Sequence, residues 1–151
     1  MKKILFLLFI GTINIYCKDQ LAETLKHLSS SSVIVEAKRY IGTRYKLGAS
    51  TKTTKRFDCS SFVKHVIKKT KHKNLPRTAL EQYKYVKKVK QPKVGDMIFF
   101  GDSKRYIGHV GIIINPKKKL MIHASSAKGK VIISSYKTKY YKRKYRGIGR
   151  I

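Results

Sequence analysis

The fold is decided in residues 94–136, which read VGDMIFFGDSKRYIGHVGIIINPKKKLMIHASSAKGKVIISSY. Four short runs rich in Ile, Val and Phe follow one another here, separated by Gly, Asp, Asn and Pro, which favour turns. This spacing predicts four strands of an antiparallel sheet. The four runs are VGDMIFFG, HVGIIIN, LMIHASS and KVIISSY.

Helical patterns occupy the chain before this stretch. Leu21, Leu25 and Leu28 recur at helical spacing and predict a first helix, which the four serines at 29–32 should end. Ser32 is then the expected cap of a second helix over residues 33–41, and Gly42 its end.

A third helix is predicted to begin after Asp58, a good N-cap residue, and a fourth spans residues 77–86 after Pro76. In the third helix, we expect a buried apolar stripe of Phe62, Val63, Val66 and Ile67 and a wet face of Lys64, Lys68 and Lys69. Helices come first and strands later, which favours an α+β domain: N-terminal helices packed on a central antiparallel sheet.

Composition bounds the function. The 151 residues suit one domain, and 36 Lys and Arg against 7 Asp and Glu give a formal charge of +29. Because 42% of the residues are hydrophobic, a disordered polycation is excluded. The charge indicates an anionic partner: nucleic acid, a membrane face or an anionic polymer.

The beginning of the chain narrows this choice. Two lysines precede an apolar run at residues 4–10 that is too short for a membrane span, which is typical of a secretory signal peptide over residues 1–17. We therefore expect an exported protein, in the periplasm or cell envelope, and no nucleic-acid partner. Cys17 is either lipidated or removed with the signal, and Cys59 is left without a disulfide partner.

Cys59 is a candidate nucleophile by position. It falls in the first turn of the helix that Asp58 caps, where free N–H groups and the helix dipole favour a thiolate. The alternative is a small buried core residue.

Two histidines strengthen the catalytic interpretation. A hairpin centred on residue 116 places His109 opposite His123, on one face of the sheet. One imidazole can then act on the Cys59 thiol while the other orients it. A turn of another length shifts this register, and each histidine can instead be a hydrogen-bonded residue of a sheet face.

A zinc site built from the same three side chains is chemically possible, but the chain lacks ligands paired at short spacing, so no metal or cofactor is expected. The other histidines, in lysine-rich surroundings, are expected to be solvated; they are His27, His65 and His72.

Six motifs in order along residues 33–151 carry a family resemblance. They are RYKLGAS, FDCSSFVKHV, LPRTALEQY, VGDMIFF, GHVGIII and MIHAS. In this order and spacing, the chain resembles the NlpC-type family of cell-wall cysteine peptidases. The resemblance implies a papain-like α+β fold and hydrolysis of amide bonds in peptidoglycan stem peptides, commonly between D-γ-glutamate and a diamino acid.

The resemblance also implies residue roles. Cys59 is the nucleophile, His109 the general base and later the acid, and His123 the polar residue that orients His109. Tyr45 matches a tyrosine whose hydroxyl lies near the nucleophile and can help to stabilise the oxyanion; without the resemblance it is an ordinary half-buried aromatic residue.

Other motif residues receive lesser roles. Asp58 and Ser60 are expected to cap and shape the nucleophile helix, with a minor part in substrate contact, and Arg77 is either structural or substrate-facing. The chain departs from the family at Ser61, where glycine is usual, and at the pair 48–49, where two glycines are usual. These departures affect substrate detail more than the reaction.

The resulting hypothesis divides the chain into a signal peptide (1–17), a helical extension (18–32) and a catalytic domain (33–151). With no glycan-binding module expected, the basic surface should bind anionic envelope polymers, and we expect a monomer. The alternatives are an N-acetylmuramoyl-L-alanine amidase of the related CHAP type, a wall-binding relative without catalysis, and a nucleic-acid-binding protein that uses the segment KTKYYKRKYR.

Overall fold

The computed structural model describes the backbone of residues 2–151 and the side chains of residues 15–25 and 28–151. The helices are α1 (Lys2–Lys38), α2 (Cys59–Lys71), α3 (Ala79–Tyr85) and α4 (Lys139–Lys144). The strands are β1 (Arg44–Tyr45), β2 (Arg56–Phe57), β3 (Lys87–Val89), β4 (Met97–Ser103), β5 (Tyr106–Asn115), β6 (Leu120–Ser125), β7 (Lys130–Ser135) and β8 (Tyr145–Arg150).

Within residues 2–151, these strands form one eight-stranded sheet in the order β2-β1-β7-β6-β5-β4-β8-β3. Neighbouring strands run antiparallel, except that β1 and β2 are parallel. The predicted α+β class is confirmed, and all four apolar runs form strands, β4 to β7.

The two faces of the sheet are covered differently. Alternate residues of a strand point to opposite faces, so Met97 and Phe99 pack in the larger core with α1 and α2, whereas Ile98 and Phe100 pack in a smaller one. The smaller core is completed by side chains from the segment after β7. Helices α1 and α2 therefore cover one face, and the short α4 segment covers part of the other.

Helix α2 has the predicted local structure. The Asp58 carboxylate accepts a hydrogen bond from the Ser61 backbone N–H at 2.8 Å, and the Ser61 hydroxyl accepts one from the Asp58 backbone N–H at 2.9 Å, which is a capping box. The predicted stripe is confirmed; the fully buried residues are Phe62, Val63, Val66 and Ile67. Lys68 and Lys69 are exposed as expected, whereas Lys64 is half-buried, with its ammonium donating to a backbone carbonyl.

The predicted break at residues 29–32 is wrong, because α1 is one helix as far as Lys38. Ser32 does not cap a new helix; its hydroxyl donates to the Ser29 carbonyl at 2.7 Å. A serine hydroxyl satisfied by the preceding turn does not compete with the helical backbone, so the serines remain inside the helix.

Some predictions on α1 fall where side chains are not described. The apolar run 4–10 of the expected signal peptide and His27 lie outside the described side chains. Among the residues that are described, no helix is long and apolar enough to cross a membrane.

Strand β8 was missed by the sequence patterns because its residues, YRGIGR, do not alternate apolar and polar side chains clearly. It lies between β4 and β3, and Gly149 packs against Val86 there. A Cβ at Gly149 would lie 2.0 Å from the Val86 side chain, so only glycine fits. The segment KTKYYKRKYR contains α4 and the first residues of β8.

Candidate active site

Cys59 is the first residue of α2 and is buried against β5. Its thiol donates to the Gly108 carbonyl oxygen, with a sulfur-to-oxygen distance of 3.7 Å, and the Val110 backbone also bonds to the sulfur. Since these residues flank His109, the start of α2 is docked on the strand at the predicted base.

Burial dominates the acidity of the thiol. It raises the pKa of Cys59 to about 11, with a smaller contribution from the Asp58 charge, although backbone hydrogen bonds favour the thiolate. The backbone N–H groups at the start of α2 favour the thiolate, as expected, but burial outweighs them in the resting site. The thiol is protonated at neutral pH and needs a base.

The two histidines are in direct contact. His109 Nε2 lies 2.8 Å from His123 Nδ1, and the rings are nearly perpendicular, at 88°. One hydrogen bond therefore links the imidazoles, as the orienting role predicted for His123 requires.

The predicted register of the hairpin is wrong by two residues. Ile112 lies opposite Ile122 rather than Leu120, because the turn is longer than expected and a bulge follows Ile113. A shift of two keeps side chains on the same face, so His109 and His123 meet as diagonal neighbours.

A glycine makes the room for this diagonal contact. The observed register continues to Gly111 opposite His123, and a Cβ at Gly111 would lie 3.2 Å from the His123 Cβ and 3.1 Å from the Met121 sulfur. A side chain at position 111 would push against His123, so Gly111 helps to position the two histidines.

Both imidazoles are neutral at neutral pH. Burial lowers the pKa of His109 to about 4, and burial with the His109 charge lowers the pKa of His123 to about 3. A neutral imidazole is the form that can accept a proton from a thiol.

Two further residues of the site were missed from the sequence. His123 Nε2 lies 2.7 Å from the Ser134 hydroxyl and 3.4 Å from the Tyr141 hydroxyl. Ser134 could have been found from strand alternation, because β7 pairs with β6 in a regular register. No pattern in the basic segment that contains Tyr141 indicates its place.

Tyr45 reaches the site through the edge of the sheet. In β1, it lies opposite Phe57 of β2, immediately before the Asp58 cap. It lines the same cleft as His109, and its pKa is raised by burial and then by the charges of Cys59 and Asp58. Tyr45 therefore lies within electrostatic reach of the thiol.

Asp58, Ser60 and Arg77 form a support behind the nucleophile. The Ser60 hydroxyl donates to Asp58 at 3.1 Å, and the Arg77 guanidinium donates to Ser60 at 3.0 Å and to the Ala49 carbonyl at 2.8 Å. Burial raises the pKa of Asp58, but the hydrogen bonds from Arg77 and Ser61 and the Arg77 charge together outweigh it, so the net pKa is lowered. Arg77 thereby joins the loop before Ser50 to the start of α2.

The departures from the family pattern fall in this support. Ser61, where glycine is usual, completes the capping box, and Ala49 is buried with its carbonyl held by Arg77. Both residues therefore contribute to the local structure behind the nucleophile.

The cleft that His109 lines has a volume of about 690 Å³. Its lining also includes Tyr45, Leu80, and Tyr141 and Lys144 of α4. The cleft is large enough for a short peptide segment.

The other histidines divide into different cases. His72 is exposed as expected, at the end of α2. His65 is not solvated: its ring nitrogen lies 2.8 Å from the Tyr40 hydroxyl, and the ring packs on Phe57. Among the described side chains, no three His, Cys, Asp or Glu residues are grouped to hold a metal ion.

Comparisons with known proteins agree with this geometry. The model of the NlpC/P60 family matches residues 42–150. The Murein DD-endopeptidase MepS/Murein LD-carboxypeptidase of Escherichia coli (strain K12) is 39% identical over 114 residues, which are 73% of this chain and 56% of that protein. The gamma-DL-glutamyl hydrolase of Bacillus subtilis (strain 168) is 37% identical over 121 residues, 78% of this chain and 28% of that protein.

A solved structure extends the comparison to the fold. An NlpC/P60 family protein from Bacillus cereus ATCC 10987 superposes with a TM-score of 0.72 at 27% identity, over 80% of this chain and 39% of that one. The chain thus spans little more than half the length of the MepS relative and less than a third of that of the gamma-DL-glutamyl hydrolase. The match over residues 42–150, together with the order of helices and strands, shows that this chain belongs to the NlpC/P60 family.

Proposed function

We propose that the protein is a cysteine peptidase that hydrolyses amide bonds in peptidoglycan stem peptides. The observation that carries the proposal is the arrangement of Cys59 and two linked histidines: the buried thiol lies against the backbone on both sides of His109, whose Nε2 contacts His123 at 2.8 Å. A thiol beside an oriented, neutral imidazole is the constellation that nucleophilic acyl transfer requires.

The proposed reaction has two acyl-transfer steps. His109 takes the thiol proton as the Cys59 sulfur attacks the amide carbonyl carbon, and the oxyanion forms near the Cys59 backbone N–H and the Tyr45 hydroxyl. The carbon–nitrogen bond breaks as His109 gives its proton to the leaving amine, which leaves a thioester. Water, activated by His109, hydrolyses the thioester to a carboxylic acid and restores the thiol.

For the bond that is cut, we propose the one between D-γ-glutamate and a diamino acid. The support is the similarity to the gamma-DL-glutamyl hydrolase, whereas the name of the MepS relative points to other bonds of the peptide. An amidase of the CHAP type, which cuts between muramic acid and L-alanine, is the second candidate, and the masses of the fragments distinguish these bonds from one another.

The test is digestion of purified peptidoglycan by the full chain, with mass spectrometry of the released fragments. Replacing Cys59→Ala should lower the release by at least about 1000-fold, because the nucleophile is lost. Cys17→Ala is the matched control and should digest normally, since Cys17 is exposed on α1. Release by Cys59→Ala at the wild-type rate would overturn the proposal.

We also propose that the basic surface binds anionic envelope polymers. The ion pairs among the described side chains use mainly arginines: Arg39, Arg77 and Arg150 hold carboxylates, and Lys144 holds Asp102. Four lysines outside these pairs line a groove of about 360 Å³, which we call the lysine groove. Its lysines are Lys90, Lys119, Lys137 and Lys142, and Tyr136 and Tyr145 lie among them.

The lysine groove is close to the cleft through α4. Lys142 lines the groove, whereas Tyr141 and Lys144 of the same helix line the cleft. Lysine ammonium groups attract phosphate or carboxylate groups as point charges. A polymer held in this groove would keep the cleft close to its insoluble substrate.

Export and domain organisation remain part of the proposal. We place the catalytic domain at residues 33–151, supported by Val33 and Ala37 of α1, which are buried in the main core. Residues 1–17 are proposed as a signal peptide and residues 18–32 as a helical extension. Cys17, exposed on α1, is a candidate for lipid attachment in the envelope.

A further inference from the structure

A chain of hydrogen bonds continues from His123 away from His109. His123 Nε2 lies 2.7 Å from the Ser134 hydroxyl on β7, with the Tyr141 hydroxyl of α4 at 3.4 Å. Ser134 also bonds to the Tyr141 hydroxyl. The linked groups are therefore His109, His123, Ser134 and Tyr141.

The strands place Ser134 for this contact. His123 lies opposite Ile132 and Met121 opposite Ser134, so Ser134 is a diagonal neighbour of His123 on the same face. Tyr141 is fixed by rings on the same side: its centroid is 4.7 Å from that of Phe100 and 5.9 Å from that of His123. Both hydroxyls are thus held by the fold beside one ring nitrogen.

The direction of these hydrogen bonds decides which nitrogen of His109 can act as a base. One proton lies between His109 Nε2 and His123 Nδ1. If His109 donates it, neutral His109 keeps a free lone pair on Nδ1. If His123 donates it, the proton of neutral His109 is on Nδ1, and its lone pair is occupied by His123.

Ser134 and Tyr141 can hold the first arrangement. The base role proposed for His109 requires His123 to carry its proton on Nε2, and the Ser134 hydroxyl oxygen, 2.7 Å away, is within reach to accept it, with the Tyr141 hydroxyl at 3.4 Å. When the Ser134 proton points to Tyr141, the lone pairs of Ser134 face His123 and accept its Nε2–H. His123 then has no proton on Nδ1, and that nitrogen accepts from His109.

We propose that Ser134 and Tyr141 are positioning residues that hold His123 in its Nε2–H form, and through it hold His109 with Nδ1 free to accept the Cys59 proton. The inference rests on the proposed function. No bond is made or broken by Ser134 or Tyr141. When His109 becomes an imidazolium, its Nε2–H still has His123 Nδ1 as an acceptor, so the charge forms without any rearrangement of the chain of hydrogen bonds.

The experiment compares Ser134→Ala, Ser134→Thr and Ser135→Ala in the full chain. Ser135→Ala is the matched control, since the Ser135 side chain lies on the same strand and points to the opposite face. Two readouts are taken: kcat and KM on soluble stem peptides, and 15N NMR of the imidazoles, which distinguishes protonated from bare ring nitrogens.

In Ser134→Ala, we expect kcat to fall by about 10- to 100-fold, as for other groups that orient a histidine, with KM unchanged. The NMR spectrum of the wild-type protein should show both histidines protonated only at Nε2, and that of Ser134→Ala should show a mixture of Nε2–H and Nδ1–H forms. Ser134→Thr, which keeps the hydroxyl, should restore both readouts, and Tyr141→Phe should disturb the tautomers as Ser134→Ala does.

The inference is overturned if Ser134→Ala keeps the wild-type kcat and tautomers, or if it loses no more activity than Ser135→Ala. A wild-type protein with the expected tautomers that fails to hydrolyse stem peptides would overturn the proposed function alone. Thermal melts of all variants identify a loss that comes from unfolding.

Discussion

At the scale of single residues, burial sets the protonation of the site before substrate arrives. The pKa of Cys59 is raised to about 11 and that of His109 is lowered to about 4, because both charged forms lose water. The site therefore rests as a neutral thiol and a neutral imidazole. In the proposed reaction, the thiolate–imidazolium ion pair forms only as the sulfur attacks the substrate.

This protonation predicts the pH dependence of kcat/KM. His109 is neutral, and able to act as a base, at all pH values above about 4, so activity should fall on the acid side near pH 4. The measurement is kcat/KM on a soluble stem peptide, with circular dichroism at each pH to verify folding. An acid limb near pH 6.5 in a folded protein would show that His109 titrates like an exposed imidazole.

The central residues could be predicted from the sequence, but only part of their surroundings could. Cys59 follows a capping residue, and His109 and His123 fall on adjacent strands, all of which are local signals. Ser134 meets His123 through the regular pairing of β6 with β7, so strand alternation could have found it. Tyr141 meets His123 through the course of the chain after β7, which no local pattern specifies.

At the scale of elements, the start of α2 depends on one partly buried ion pair. Arg77 lies before α3, yet its guanidinium bonds to Asp58, Ser60 and the Ala49 carbonyl at the N-terminus of α2. The Asp58 side chain is 5% exposed, so its charge would be left without compensation if Arg77 were removed.

Replacing Arg77→Met should therefore lower the free energy of unfolding by about 2 kcal/mol or more, less than for a fully buried pair because Arg77 itself is partly exposed. The matched control is Arg39→Met, which removes a surface pair with Glu36 and should cost less than about 1 kcal/mol. Urea denaturation measures both values. Equal losses in the two variants would mean that the Arg77 support contributes nothing beyond a surface pair.

The elements also show where sequence patterns succeed. Helix α2 could be predicted because its cap, Asp58, and its apolar stripe lie in one short continuous stretch of sequence. The break in α1 was wrong because serines adapt to a helix interior through their hydroxyls. The register of β5 and β6 was wrong because a bulge and a longer turn shift the pairing by two residues.

At the scale of the whole molecule, we propose that the charge of +29 acts in binding rather than in catalysis. The lysine groove lies on the face of the sheet that α4 covers, whereas Lys68 and Lys69 are exposed on α2, which covers the other face. Equal changes of charge at these two sites distinguish the effect of where the lysines lie from the effect of the net charge.

Reversing two charges at each site tests this proposal. Lys137→Glu with Lys142→Glu should release the protein from purified cell-wall material at a lower salt concentration than Lys68→Glu with Lys69→Glu, although both variants have the same net charge. Cosedimentation over a range of salt concentrations measures the difference. Identical salt curves would indicate that the groove has no special part in binding.

If Cys59 forms a thioester with a stem peptide, the acyl group adds to the mass of the intact protein, which mass spectrometry measures. The full chain is mixed with a stem peptide and quenched in acid within one turnover, and the modified residue is located by peptide mapping. We expect an adduct on Cys59 whose mass equals the acyl part of the substrate, and no adduct in Cys59→Ala. Product formation by Cys59→Ala at the wild-type rate, or an acyl adduct on another residue, would rule out the proposed nucleophile.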